Sequence, residues 1–251
     1  MYQKCVNYLR GSKEQANRNE ELVQMVEEAK KPSEEIPEDP ASTEPSRATV
    51  PSIMGEDGIL TEYAGLYELN RDMVGWLEIP NTKLKYPVMQ TPTNPNYYLK
   101  HDFDKQKSDW GAVYAWETAN ITEPSDNITL FGHNMADGSM FACLNNYTNK
   151  KTWENNSLIF FDTLTEYHTY KIFAVFKTSA NIGQGFAYHK FVDAENEAEF
   201  NEFVSTCKKL ALYDTGITPD FGDKLLTLST CDKSISDGRL VVVCRLVGRY
   251  S

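Results

Sequence analysis

The chain has no stretch approaching the roughly 18 consecutive apolar residues that a membrane span needs, nor the short apolar core of a signal peptide after its first residues. Taken alone, that composition places it in the cytoplasm. Positive charge is also short: 25 Lys and Arg face 36 Asp and Glu, a net charge of −11 with no basic stripe, which argues against a nucleic-acid partner. Cysteine is sparse and odd in number. Cys5, Cys143, Cys207, Cys231 and Cys244 follow neither a disulfide framework nor a zinc spacing, so the pattern reads as one functional thiol among structural ones. Asp104, Asp126 and Asp137 lack the alternating spacing of a calcium loop. No metal and no cofactor is expected.

Large apolar residues are nearly absent from Lys31 to Pro51, where Pro, Glu, Ser and Thr dominate; such a stretch cannot bury enough surface to offset its ordering entropy. It reads as an extended linker. Before it, Leu22, Val23, Met25 and Val26 among many charges predict a modest helix over Glu14–Lys31. The chain therefore divides into residues 1–55, a helix and a Pro/Glu-rich spacer contributing little to a distant site, and residues 56–251, one domain large enough for a substantial core. Folded structure is expected from near Ile59, with a first helix reaching Asn70.

Beyond that helix the chain breaks into short apolar segments punctuated by Pro and Gly: Leu84–Gln90, Ala112–Trp116, Ile128–His133, Leu158–Asp162, His168–Thr178, Leu225–Cys231 and Arg239–Val247. Repeated short strands favour a closed or nearly closed β-barrel over a parallel sheet, in a mostly β, α+β fold. Two amphipathic helices interrupt it, over Ser139–Tyr147 and over Ala194–Leu210, the second with Cys207 on its buried stripe. Cys143 and Cys244 are expected to pack as core thiols.

The last two segments carry the chemistry. Leu225–Cys231 and Arg239–Val247 flank a polar loop containing Asp237-Gly238, so a thiol closes one strand and a guanidinium opens its neighbour at one rim of a sheet. A nucleophilic thiol needs a base or charge partner, and there are four histidines to choose from. His133 stands at the end of another apolar segment beside Gly132, which reads as the residue that lets the backbone turn. A plain hydrogen-bonded loop histidine is the competing reading of His133. His101 and His168 look structural, and His189 follows a Gly-rich turn that could line a groove.

Those residues resemble a class B sortase. The likeness is carried by Thr-Leu-Ser-Thr-Cys (227–231), the Arg before Leu-Val-Val-Val (239–243) and Gly-His-Asn-Met-Ala-Asp-Gly-Ser-Met-Phe (132–141). Val74-Gly-Trp-Leu-Glu-Ile-Pro-Asn-Thr, Tyr86-Pro-Val-Met-Gln, His101-Asp-Phe and Gly111-Ala-Val-Tyr continue it, so it spans roughly residues 60–249; Lys100 stands where members often carry Asn. The resemblance implies a closed barrel of about eight strands with an N-terminal helix and a helix in the insertion before the Cys strand. It also implies a cysteine transpeptidase with Cys231 as nucleophile, His133 as partner imidazole and Arg239 as carbonyl or oxyanion contact, Ser229 and Thr230 being candidate groove residues. The implied substrate is a C-terminal sorting signal of the Asn-Pro-x-Thr type on a secreted protein, cut after Thr, and the implied acceptor is an amine of a peptidoglycan peptide. Members are held on the outer face of a Gram-positive membrane by an N-terminal span, so here the span is expected to precede Met1 and to have been cut away, leaving Cys5 just outside the membrane as an ordinary exposed thiol. A cysteine protease passing the acyl group to water, a pilin-polymerising sortase and a non-catalytic surface-binding domain remain alternatives.

Overall fold

Eight strands close on themselves in the computed structural model, which describes residues 2–30, 54–181, 183–234 and 237–250. In chain order they are β1 (Met73–Glu78), β2 (Lys85–Met89), β3 (Val113–Ala115), β4 (Asn127–Phe131), β5 (Leu158–Thr163), β6 (Tyr167–Ser179), β7 (Leu225–Asp232) and β8 (Gly238–Tyr250). Around the barrel the order is β1-β2-β3-β4-β7-β8-β6-β5, back to β1. The pairings β2–β3 and β4–β7 are parallel, and the other six are antiparallel. Closure removes the exposed edges that an open sheet of this size would leave. The closed barrel agrees with the sequence reading, and the strand absent from that reading is β1, whose alternation is interrupted by Gly75.

The two-residue period of the strands sorts their side chains into separate cores. Along β8, Leu240, Val242 and Cys244 point into the barrel with Leu226 and Leu228 of β7 and Ile172 of β6. Val241 and Val243 point outward, where they pack with Phe173 and Phe176 of β6 under helix α4 (Glu197–Leu210), which contributes Phe200, Phe203, Val204 and Cys207. This is why β8 reads as a continuous apolar run: both faces are covered. The α4 helix lies between β6 and β7, as the sequence implied, but starts at Glu197, because the Asn196 side chain caps it by accepting from the Glu199 backbone N–H. The segment expected as a helix over Ser139–Tyr147 is instead a 3-10 run over Phe141–Thr148; Met140 has φ +55° and the Phe141 N–H bonds back to the His133 carbonyl, delaying its start. A short helix, α3 (Lys150–Asn155), follows it.

A third core forms where two helices cover the barrel. The α2 helix (Thr61–Leu69) brings Tyr63 and Leu66 onto Trp76, and helix α1 (Tyr2–Ala29) adds Leu22 and Val26, which are 3% and 0% exposed. A helix is present here, as expected, but α1 begins well before Glu14 and packs on the barrel side. Apolar periodicity understated it because much of the contact face is aromatic or polar: Tyr8 stacks on Trp110, Ser12 bonds Asp137, and Arg18 bonds Asp104 through two nitrogens. The linker expected from Lys31 to Pro51 lies outside the described residues.

Because Leu22 sits in that third core, Leu22→Ala should destabilise the protein by about 2–4 kcal/mol in urea unfolding, as deletion of a buried Leu side chain does elsewhere. A change indistinguishable from zero would mean that α1 does not dock in solution.

Candidate active site

Strand β7 sets the frame of the site. It pairs antiparallel with β8 so that Cys231 lies directly opposite Arg239, and it pairs parallel with β4 so that Ser229 lies opposite Phe131. Two residues beyond that last pair on each strand stand His133 and Cys231. The junction is held past the end of the ladder: the Gly132 N–H donates to the Ser229 carbonyl (3.2 Å), the Thr230 hydroxyl donates to the Gly132 carbonyl (2.7 Å), and the Asn134 amide donates to the Cys231 carbonyl (2.8 Å).

Gly132 has a spatial role and not the turn-making one expected of it. It is not among the positive-φ glycines, but a Cβ on it would stand 2.7 Å from the Phe141 ring, closer than real Cβ contacts come. His133 is oriented by its Nε2, 2.8 Å from the Leu99 carbonyl. A backbone acceptor here favours the tautomer with its proton on Nε2.

Cys231, His133, Arg239, Ser229 and Thr230 all line one cleft of about 470 Å³. The structure thus brings the five sequence-selected residues together. Its other walls are Leu99, Tyr114, Trp116 and Phe131 on one side, and the segment after β6, with Tyr188 and His189, on the other. The two hydroxyls beside the thiol already have partners: Ser229 Oγ lies 2.5 Å from the Tyr188 hydroxyl, and Thr230 is bonded to Gly132. Arg239 Nη1 donates to the Gly238 carbonyl at 3.0 Å, which keeps the guanidinium at the rim. His189 packs edge-on against Trp116, and burial, with the nearby Lys190 and Arg239 charges, pulls its imidazole below the ordinary histidine value. His101 stacks on Tyr97 and His168 is buried, so neither faces this cleft.

Environment separates the cysteines. Of the four whose side chains are described, Cys231 is exposed, Cys143 is half-buried, and Cys207 and Cys244 are buried. Burial pushes the Cys143 thiol up to about 11, and raises Cys207 and Cys244 well above the ordinary thiol value too, so these three stay protonated near neutrality. Sequence reasoning missed the Leu99 carbonyl and the Asn134 amide. The first is a backbone atom with no side-chain signature; the second follows His133 directly and was within reach.

An exposed thiol, an oriented imidazole and a guanidinium around one cleft of a closed barrel are the equipment of thiol-dependent acyl transfer. Similarity to known proteins agrees. A model of the sortase domain matches residues 77–247. Sortase B of Listeria monocytogenes is 33% identical over 204 residues, covering 80% of this chain and 79% of that one. Among solved structures, a Bacillus anthracis protein described as similar to sortase B superposes with a TM-score of 0.75 at 26% identity, covering 93% of this chain and 96% of the other. A sortase B–substrate complex from Staphylococcus aureus gives 0.68 at 27% identity, covering 75% and 86%. The chain belongs to the sortase family, in its class B, and is a transpeptidase of the sortase B type.

One contact next to the thiol generates a pH prediction. Asp232 accepts from the Lys177 ammonium at 2.9 Å and from the Ser234 backbone N–H at 3.0 Å, tying the start of the β7–β8 loop to β6. Burial alone would raise its pKa, but the Ser234 backbone, Lys177 and the Ser234 hydroxyl together hold the carboxyl below its ordinary value. A depressed folded pKa adds stability that is complete above the unfolded value and is lost as pH falls through the folded one. The stability gap between wild type and Asp232→Asn should therefore be constant from about pH 8 to about pH 5 and close below about pH 4. A gap that persists at low pH in urea unfolding would show that the carboxylate charge is not what holds the loop.

Proposed function

We propose that Cys231 is the nucleophile of this transpeptidase, with His133 as its acid–base partner and Arg239 as the donor to the reacting carbonyl. The observation that carries the assignment is the exposure of Cys231 in a cleft it shares with both other residues, while the three other described thiols are partly or fully buried. The thiolate Sγ attacks the carbonyl carbon of the scissile peptide, and the guanidinium of Arg239 donates to the developing oxyanion. As the C–N bond breaks, the His133 imidazolium protonates the departing amine, leaving a thioester on Cys231. A second amine then attacks the thioester carbon, gives its proton to His133 and releases the thiolate.

The substrate we propose is a C-terminal sorting signal of the Asn-Pro-x-Thr type on a secreted protein, cut after Thr, with an amine of a cell-wall peptide as acceptor. Ser229 and Thr230 serve as walls of the substrate groove, since both hydroxyls are already bonded within the protein. Within this reading residues 56–251 are the catalytic domain, and residues 1–55 lead towards a membrane on whose outer face the enzyme works. Among the described residues no helix is long and apolar enough to cross a membrane. A low-dielectric apolar wall of Leu99, Tyr114, Trp116 and Phe131 suits the apolar and proline parts of such a peptide.

Mass spectrometry of products from a library of Asn-Pro-x-Thr peptides, with and without added glycine peptides or diaminopimelate, tests the function. Amine-dependent ligation product is expected; hydrolysis alone at every amine concentration would favour a cysteine protease. Cys231→Ala should abolish both cleavage and ligation with the fold intact, and comparable activity in that variant would end the assignment. Arg239→Lys keeps the charge but loses the planar fork, so turnover should fall about 10²-fold or more if Arg239 stabilises the oxyanion. Arg245→Lys, which alters a residue paired with Asp223 further along β8, is the control and should leave turnover unchanged.

A further inference from the structure

The imidazole of His133 is held between two loops. One, residues 132–140, carries it; the other, residues 100–111, comes directly after Leu99, whose carbonyl orients it. Both loops end against the same face of helix α1. On the first loop, Asp137 uses one carboxylate oxygen for the Ser139 backbone N–H (3.0 Å) and hydroxyl (2.6 Å), which closes the turn that leads back to His133. Its other oxygen, Oδ2, accepts from the Ser12 hydroxyl of α1 at 2.6 Å and from the Trp110 indole N–H at 3.0 Å. Trp110 belongs to the second loop, so Asp137 joins the two loops to each other and to the helix.

The helix grips the second loop in two further places. Tyr8 stacks on Trp110 with ring centroids 5.3 Å apart, and Gly11 lies so close that a Cβ there would stand 2.9 Å from the indole. One to two turns on, Arg18 donates to both oxygens of Asp104 at 2.6 and 2.7 Å, at the tip of the loop. Tyr8, Gly11, Ser12 and Arg18 recur at three-, four- and seven-residue separations, the spacing of one helix face, and Leu22 and Val26 continue it into the core. None of these residues lines the cleft.

We infer that α1 is a positioning element for the reaction, and that Asp137 and Trp110 are the positioning residues through which it fixes His133 between the two loops. The inference rests on the assignment of His133 as acid–base partner. Its physical basis is that proton transfer demands a settled geometry: a misplacement of about 1 Å can cost about 10²-fold in rate. The barrel fixes Cys231 and Arg239 on paired strands, but His133 stands beyond the end of β4 and depends on what braces its loop.

Four variants of the full chain decide it: Gly11→Leu, which wedges α1 away from Trp110; Asp137→Ala, which cuts the shared contact; Ser12→Ala, which removes one hydrogen bond and keeps the helix; and Leu9→Ala, an exposed position on α1, as control. The readouts are kcat and KM on a cleaved Asn-Pro-x-Thr peptide, the NMR ring signals of His133 assigned with His133→Ala, and circular dichroism to confirm the fold. Gly11→Leu and Asp137→Ala should each lower kcat about tenfold or more with KM within about twofold, and shift or broaden the His133 signals. Ser12→Ala should do the same to a smaller degree, and Leu9→Ala should change nothing. Unchanged His133 signals in folded Gly11→Leu, Asp137→Ala and Ser12→Ala proteins overturn the inference, whatever happens to turnover. If instead His133→Ala retains near-wild-type activity, the acid–base assignment falls, and the ring signals still decide whether α1 controls the position of that imidazole.

Discussion

The register of one strand is the constraint on which the site depends. β7 is paired with β8 on one side and with β4 on the other, and the first pairing sets Cys231 against Arg239 while the second aims the chain after Phe131 towards the same rim. Side chains alternate along a strand, so a slip of one residue would turn Cys231 from the cleft into the barrel wall and carry Leu226 and Leu228 out of the core. The apolar packing that fixes the register therefore also fixes the chemistry. Barrel closure reinforces this, since β7 cannot shift without breaking both ladders.

Where the ladder ends, different forces take over. His133 lies past β4, and its position comes from single hydrogen bonds: Leu99 to its ring, Phe141 to its carbonyl, Asn134 to the carbonyl of Cys231. Net hydrogen bonds contribute about 0.5–1.5 kcal/mol each, far less than a strand buried on two faces. A rigid thiol and guanidinium facing a more lightly braced imidazole is the mechanical picture that results. It gives helix α1, docked on both bracing loops, a role that the barrel alone cannot fill.

Much of this was legible in the chain itself. The late segments Leu225–Cys231 and Arg239–Val247 announced paired strands because both were apolar and flanked a polar turn, and the stripe of Phe200, Phe203, Val204 and Cys207 announced a buried helix face. Cys231, His133 and Arg239 stood out by residue type and by their place at segment ends. The docking of α1 was not legible, because its face mixes Tyr8, Gly11, Ser12 and Arg18, whose value lies in partners more than 80 residues away. Nor was the Leu99 carbonyl, since backbone atoms leave no mark in a sequence. β1 was obscured by Gly75, and the 3-10 run after His133 by a backbone conformation at Met140 that residue type does not predict.

The most direct measurement of the central claim, that acyl transfer runs through Cys231, is rapid-quench intact-mass spectrometry of the enzyme mixed with a cleavable Asn-Pro-x-Thr peptide. A mass increase equal to the N-terminal fragment less one water, as thioester formation requires, mapped by digestion to Cys231 and discharged on adding an amine, is the expected result. Turnover with no adduct at any quench time, or an adduct mapped to Cys143, Cys207 or Cys244, would contradict it.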